Sequence, residues 1–271
     1  MNVQERLQVA ADTVEMWRAA TGTSRPVEPG SSLAADDAAF PLNPVSHLVW
    51  FGISHAVDHL DMYLHVLVRS GHSFPIAPQT LARGGLIGAA HALWMLDAPD
   101  RRTRQLRGLK IAHEEWRNER TAYQELVESG EAVAGMDNLV VVRGEWMAEA
   151  VAAGESIGWT AADVRARPND TKLIEDVLTR YESRDPAEPG MMTMPTLYTL
   201  LWRMLSGSAH AYRWSSMGRI RFAPRGSTTD SNGADGYLTT DEDQHFHSVG
   251  AMMLLINRAF ELYDQRRVRH A

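Results

Sequence analysis

An arginine and a histidine in the C-terminal third of the chain, Arg203 and His210, are the residues best suited to chemistry. They stand seven positions apart, almost two helical turns, so an unbroken helix would carry both on one face. A guanidinium can hold a phosphate oxygen, and an imidazole can move a proton near neutral pH. The pair is therefore the minimum equipment for metal-free RNA cleavage, in which a ribose hydroxyl attacks its own phosphate.

The chain around this pair is rich in cations and aromatic rings. Residues 203–225 contain five arginines and no acidic residue, with tyrosine, tryptophan and phenylalanine interleaved. Guanidinium groups suit phosphate contacts and aromatic rings suit base stacking. We therefore predict a local Arg-rich patch that binds RNA. Its members are Arg213, Trp214, Arg219 and Arg221, with Arg83 as a further candidate.

Arg83 lies in an apolar segment, residues 81–96, that is unusually rich in small side chains. Glycine in a helix interior costs about 1 kcal/mol relative to alanine. Gly84, Gly85 and Gly88 therefore need an offsetting reason, either close helix packing or space for a ligand or for Arg83. Because an unpaired buried charge is very costly, Arg83 must reach water or a partner.

The pattern of an arginine followed by six residues and then a histidine resembles the motif of HEPN-type helical ribonucleases. The consensus of that family is an arginine, four to six intervening residues and a histidine. This resemblance implies that Arg203 binds the phosphate and that His210 is the catalytic base or acid, with no cofactor. It also implies a homodimer, because in that family both protomers contribute to the site. The expectation is a metal-independent endoribonuclease of the toxin or antiviral-effector type.

Three segments are similar to recurring blocks of uncharacterised helical proteins from actinobacteria, a domain of unknown function. They are Ala56-Val-Asp-His-Leu60, residues 80–96, and Leu205-Ser-Gly-Ser-Ala-His210. This resemblance implies an all-helical fold and carries no activity with it.

A histidine-rich stretch offers an alternative site. His55 and His59 are four positions apart with Asp58 beside them, a spacing that suits zinc, nickel or iron on one helix face. Histidines gathered from several helices resemble the metal sites of DinB-like enzymes, which implies a divalent transition metal and a hydrolase or transferase activity. The third ligand would come from His91, His113, His210, His245 or His247.

Composition limits the function classes. The chain has 271 residues, a formal charge of −7 and no cysteine, which excludes thiolate chemistry and confines any RNA contact to a local patch. The sequence contains no glycine-rich phosphate loop, dinucleotide fingerprint or serine-nucleophile elbow. A third interpretation remains open, in which the arginines and histidines are structural and the chain is a non-catalytic interaction protein.

Helical periodicity runs through most of the chain and predicts an all-α fold, an irregular multi-helix bundle in a single domain over residues 1–271. We expect a loop or strap at residues 23–41, and a long irregular loop or small hairpin at residues 219–240, near the C-terminal third. The start lacks the apolar run of a secretory signal, and no apolar stretch is long enough to span a bilayer. We therefore expect a cytoplasmic protein without a membrane segment.

Overall fold

The structure, a computed structural model, describes residues 2–69, 74–183, 191–216, 220–224, 236–240 and 242–270. At residues 69, 221–224, 236–240 and 242–244 it describes the backbone alone. Within these ranges the chain is dominated by α-helices, as the periodicity predicts. They are α1 (Val3–Thr21), α2 (Ser32–Asp37), α3 (Val45–Leu64), α4 (Ala77–Leu96), α5 (Arg101–Glu128), α6 (Met136–Ser156), α7 (Ala161–Arg165), α8 (Asp170–Glu182), α9 (Met194–Ala209) and α10 (Glu242–Arg267).

Shorter elements follow two of the helices. A π-helical turn at His65–Arg69 continues α3, and a 3₁₀ turn at Arg213–Ser216 follows α9. Two short strands, β1 (Ile220–Pro224) and β2 (Gly236–Thr240), then pair antiparallel, with the first residue of β1 opposite the last of β2. The multi-helix fold is thus confirmed, and the described ends of the predicted loop at 219–240 form a small hairpin.

Helix starts coincide with capping side chains in the sequence. The Asp100 carboxylate accepts hydrogen bonds from the backbone nitrogen and the hydroxyl of Thr103, at 2.7 and 2.9 Å, and so opens α5. Asn2 and Glu5 form a capping box at the start of α1. Ser31 caps α2, a helix of six residues inside the segment that the sequence predicts to be irregular. Six residues are too few to show a helical period.

The chain forms two compact units. The first unit comprises Met1–Ser24, Gly52–His91 and Ile174–Phe260, and the second comprises Arg25–Phe51, Ala92–Leu173 and Glu261–Ala271. Each has its own buried apolar residues. They include Leu60, Leu86, Leu205 and Met252 in the first unit, and Leu33, Leu96, Leu109 and Ala112 in the second.

The single domain predicted over residues 1–271 remains a prediction. Among the described helices, none combines the length and the apolar character needed to cross a membrane.

Candidate functional site

Helix α9 carries the two predicted catalytic residues. Thr193 caps its start, its hydroxyl accepting from the backbone nitrogen of Thr196, and Pro195 lies in the first turn. The helix runs without interruption to Ala209, so Arg203 is helical and His210 is the C-cap. Seven residues of helix separate their Cα atoms by about 10 Å along one face, and both side chains are exposed.

Arg83 of α4 reaches the same face of α9. Its Nε donates to the Ser206 hydroxyl at 3.2 Å, and its guanidinium carbon lies 4.9 Å from the centroid of the Trp202 ring. Ser206 comes three positions after Arg203 and four before His210, which places it between them on that face. Arg83, a predicted RNA-binding residue, therefore contacts α9 at Ser206, about one helical turn from each of the two predicted catalytic residues.

We call Arg83, Arg203, Ser206 and His210 the α9 cluster. Across the described parts of the chain, neither arginine of this cluster forms an ion pair with a carboxylate. Two guanidinium groups without a carboxylate partner attract anions, and the hydroxyl and imidazole can add hydrogen bonds to the same anion. The arrangement is chemically suited to a phosphate group.

The C-terminal end of α9 is held in a strained turn. The Tyr212 backbone nitrogen donates to the Gly207 oxygen at 2.8 Å, and the Ala211 nitrogen donates to the Ser208 oxygen at 3.1 Å. This pair of bonds is the Schellman motif, whose C′ position is left-handed and usually glycine. Here Ala211 occupies it with φ 58°. A side chain in that region costs about 1–2 kcal/mol, so the surrounding contacts must impose this conformation.

Gly207 lets the 3₁₀ turn approach α9 closely. A Cβ at Gly207 would lie 2.7 Å from the Ser215 Cβ and 3.0 Å from the Trp214 Cζ2. Ser215 is fully buried, and its hydroxyl donates to the Tyr212 backbone oxygen at 2.6 Å. The small residues in the last turns of α9 therefore serve as a packing surface for the chain that follows.

An open cleft of about 520 Å³ lies beside this turn. Tyr212 is 58% exposed and Trp214 is 51% exposed. The Tyr212 ring centroid lies 5.9 Å from that of His210, so the cleft adjoins the α9 cluster. The described residues that line it are Ile76, Ser208, Ala211, Tyr212, Arg213, Ser216 and Ile220.

The other predicted RNA-binding residues lie in the chain that follows α9. Arg213 and Trp214 are exposed in the 3₁₀ turn. Arg221 lies in β1 opposite Thr239, a backbone placement alone. Arg219 lies outside the described residues.

The predicted metal ligands His55 and His59 pack as a stacked pair on α3. Their ring centroids are 4.1 Å apart at an interplanar angle of 29°, and His59 Nδ1 lies 2.9 Å from the His55 backbone oxygen. A Cβ at Gly84 would lie 2.4 Å from His59 Nε2, and one at Gly88 would lie 2.9 Å from His55 Nδ1. The glycines of α4 thus make room for the two imidazoles, which is the packing explanation of the small-residue segment.

The described surroundings of this pair do not supply a third metal ligand. Throughout the described residues, no group of three or more His, Asp or Glu side chains is placed to hold a metal ion. Asp58 is exposed, whereas both histidines are half-buried. Burial, followed by the neighbouring His59, lowers the pKa of His55. These effects favour the uncharged form of the His55 ring within the helix packing.

Sequence reasoning missed Ser206, the residue that links Arg83 to α9, and the strain at Ala211. The signal for Ser206 was its spacing of three and four from the two predicted catalytic residues, which places it on their face. Nothing in the sequence marks Ala211, because alanine at that position is an exception to the usual glycine.

Comparison of the chain with protein-family models, with curated proteins and with solved structures found no match. The resemblances to HEPN-type ribonucleases and to actinobacterial helical proteins therefore remain predictions. The fold and the site define only a class: an all-α protein with an exposed arginine and histidine on one helix, next to a second arginine from α4, neither arginine having a carboxylate partner among the described residues.

Proposed function

We propose that the protein is a metal-independent endoribonuclease and that the α9 cluster cleaves RNA. The observation that carries the proposal is that α9 carries Arg203 and His210 on one face and that Arg83 of α4 hydrogen-bonds to Ser206, about one turn from each of them. Among the described residues no carboxylate neutralises either guanidinium. Two guanidinium groups without a described carboxylate partner, together with an imidazole, are suited to a phosphodiester whose negative charge increases during reaction.

The reaction is an intramolecular transesterification. His210 takes the proton of the ribose 2′-hydroxyl, and the 2′-oxygen forms a bond to phosphorus as the bond from phosphorus to the 5′-oxygen breaks. Arg203 and Arg83 bind the non-bridging oxygens, and Ser206 positions Arg83. The products are a 2′,3′-cyclic phosphate and a 5′-hydroxyl, which acquires a proton on leaving.

The proton for the leaving group is best supplied from a second copy of the chain. The attacking and leaving oxygens lie on opposite sides of phosphorus, so one imidazole cannot serve both at once. Leu197 and Leu200, 37% and 47% exposed, precede Arg203 on α9. A homodimer formed through α9 would cover these apolar side chains and bring a second His210 to the phosphate. Such an enzyme would act in the cytoplasm as a toxin or antiviral effector.

The test is incubation of the purified chain with a mixed RNA pool in EDTA, followed by analysis of the product ends. We expect the wild-type protein to leave 2′,3′-cyclic phosphates and His210→Ala to be slower by about 100-fold or more, the usual contribution of a general base. His47→Ala, which removes another exposed histidine, is the matched control and should cleave normally.

Absence of cleavage in EDTA, or equal cleavage by wild type and His210→Ala, would sink this proposal. The non-catalytic interaction protein would then be the better description, and metal analysis of the His55–His59 pair would follow.

A further inference from the structure

The cleft beside α9 has the size and lining of a site for a small planar group. Its volume of about 520 Å³ falls in the range of small-molecule sites, roughly 300–1,000 Å³. Ile76 and Ile220 contribute aliphatic surface, Tyr212 contributes an aromatic ring, and Arg213 contributes a cation. Most of the cleft surface that the described residues provide is apolar. Such a surface suits a ring that binds by stacking.

The cleft is continuous with the α9 cluster through Tyr212. This residue lines the cleft, and its ring centroid lies 5.9 Å from that of His210. Ala211, between them, is fixed in the left-handed turn that sends the chain from α9 toward the cleft. A nucleotide whose phosphate lies at His210 therefore has its base within reach of the Tyr212 ring.

We infer that this cleft binds one unpaired nucleobase, stacked on Tyr212, and that the substrate is single-stranded or looped RNA. The inference rests on the proposed function, since it concerns the nucleotide next to the phosphate at the α9 cluster. Charge selects the occupant: Arg213 lines the cleft and the cluster beside it is cationic, so an anionic polymer carrying aromatic bases fits better than a neutral apolar molecule. A paired base cannot enter, because it is held in the duplex stack.

The experiment measures binding separately from cleavage. A short fluorescein-labelled oligonucleotide with 2′-deoxy sugars, which lacks the attacking hydroxyl, is titrated with the full chain and followed by fluorescence anisotropy. Three forms are compared, namely the single strand, its duplex, and a strand with abasic sites in place of bases. The all-ribose strand is assayed for cleavage in parallel.

We expect the single strand to bind more tightly than the duplex, and Tyr212→Ala to weaken single-strand binding by about 10-fold, as for one base lost from an aromatic platform. Tyr212→Phe retains the ring and should bind within about twofold of wild type. Phe51→Ala removes an aromatic ring of similar exposure, 65% against 58% for Tyr212, and is the matched control. With the abasic strand, Tyr212→Ala should have no further effect.

Equal affinity for single strand and duplex would overturn the inference, as would a Tyr212→Ala loss that persists undiminished on the abasic strand. Displacement of an apolar dye from the cleft by fatty acids but not by the oligonucleotide would also overturn it, in favour of an apolar ligand. If the all-ribose strand is not cut but the base-dependent Tyr212 effect is present, the cleavage proposal fails and the base site stands. If it is cut with no Tyr212 effect, the base site alone fails.

Discussion

Arg104 in α5 and Arg203 in α9 are both helical arginines, yet only Arg104 has a carboxylate partner among the described residues. Arg104 is 5% exposed, and its Nε and Nη2 donate to the two carboxylate oxygens of Asp36 at 2.7 and 3.1 Å. Its Nη2 also lies 3.0 Å from the Ser32 hydroxyl. Arg203 is exposed and has no such pair.

The second unit repeats the paired arrangement elsewhere. Arg143 of α6 donates to both carboxylate oxygens of Glu119 in α5, at 2.5 and 2.8 Å, and this bond holds the pKa of Glu119 below its usual value. Arg120 donates to the Val140 backbone oxygen at 3.2 Å. These arginines join helices to one another, whereas the arginines of the α9 cluster lack a carboxylate among the described residues. Arg104 and Arg143 each have a carboxylate partner, whereas Arg83 and Arg203 have none among the described residues, and this difference distinguishes the candidate phosphate site from those two pairs.

The largest expected effect comes from removing the partner of Arg104. Burial raises the pKa of Asp36, and the hydrogen bond to Arg104 opposes that shift. Removing the two charged groups from water therefore offsets part of the stability that their attraction provides. Asp36→Ala leaves a buried guanidinium without its carboxylate and should lower the free energy of unfolding by about 3–5 kcal/mol, measured by urea denaturation.

Asp12→Ala, on the exposed side of α1, is the control and should change stability by less than about 0.5 kcal/mol. Asp36→Asn keeps part of the hydrogen bonding, so its loss of unfolding free energy should lie between those of Asp12→Ala and Asp36→Ala. If Asp36→Ala loses no more unfolding free energy than the control, Arg104 is not a structural residue. The difference between Arg104 and Arg203 would then have no energetic basis.

Arg203→Ala should lower the rate of cleavage and leave stability unchanged, the reverse of what we expect for a structural arginine pair. We expect cleavage to fall by about 100- to 1,000-fold, the usual effect of deleting a group that stabilises transition-state charge. Stability should be unchanged, because the side chain is exposed. The cleavage rate of Arg203→Lys should lie between those of wild type and Arg203→Ala, since lysine keeps the charge and loses the bidentate geometry of the guanidinium.

Cleavage rates and urea midpoints are measured on the same samples. Arg165→Ala, an exposed arginine in α7, is the matched control and should affect neither. If Arg203→Ala cleaves as wild type, or unfolds as easily as Asp36→Ala, the distinction between paired and unpaired arginines has no functional meaning.

A smaller effect tests how α4 presents Arg83 to α9. Gly84→Ala places a Cβ 2.4 Å from His59 Nε2, so either the His59 ring must turn away or α4 and α3 must separate. The expected loss of stability is about 1–3 kcal/mol, measured by thermal unfolding, with a parallel loss of cleavage as Arg83 moves.

Gly250→Ala is the internal control, because a Cβ at that position in α10 would meet no described atom within 4 Å. It should stabilise the chain by about 0.5–1 kcal/mol through helix propensity. Destabilisation of both variants to the same extent would mean that helix backbone effects, and not the fit of the imidazoles, explain the glycines of α4.

Whether the sequence predicts an interaction depends on how far apart the two partners lie along the chain. The Asp100 cap of α5 acts within three residues, so it belongs to the interactions that a local sequence pattern can encode. Arg203 and His210 share a face because one helix contains both. The Arg104–Asp36 pair joins positions 68 apart, and the Arg83–Ser206 bond joins positions 123 apart. Both depend on how helices pack, which no local pattern encodes.

The smallest effect concerns the strained turn that follows His210. Ala211→Gly removes a side chain from the left-handed region, φ 58°, and should stabilise the chain by about 0.5–1 kcal/mol, measured by urea denaturation. The gain is limited because glycine also loses more conformational freedom on folding. If the turn exists to hold Tyr212 beside His210, the added freedom should lower cleavage at the same time as it raises stability. A variant that gains stability and keeps full activity would show that the strain is a by-product of the packing on Gly207, and that the α9 cluster tolerates a looser connection to the cleft than we propose.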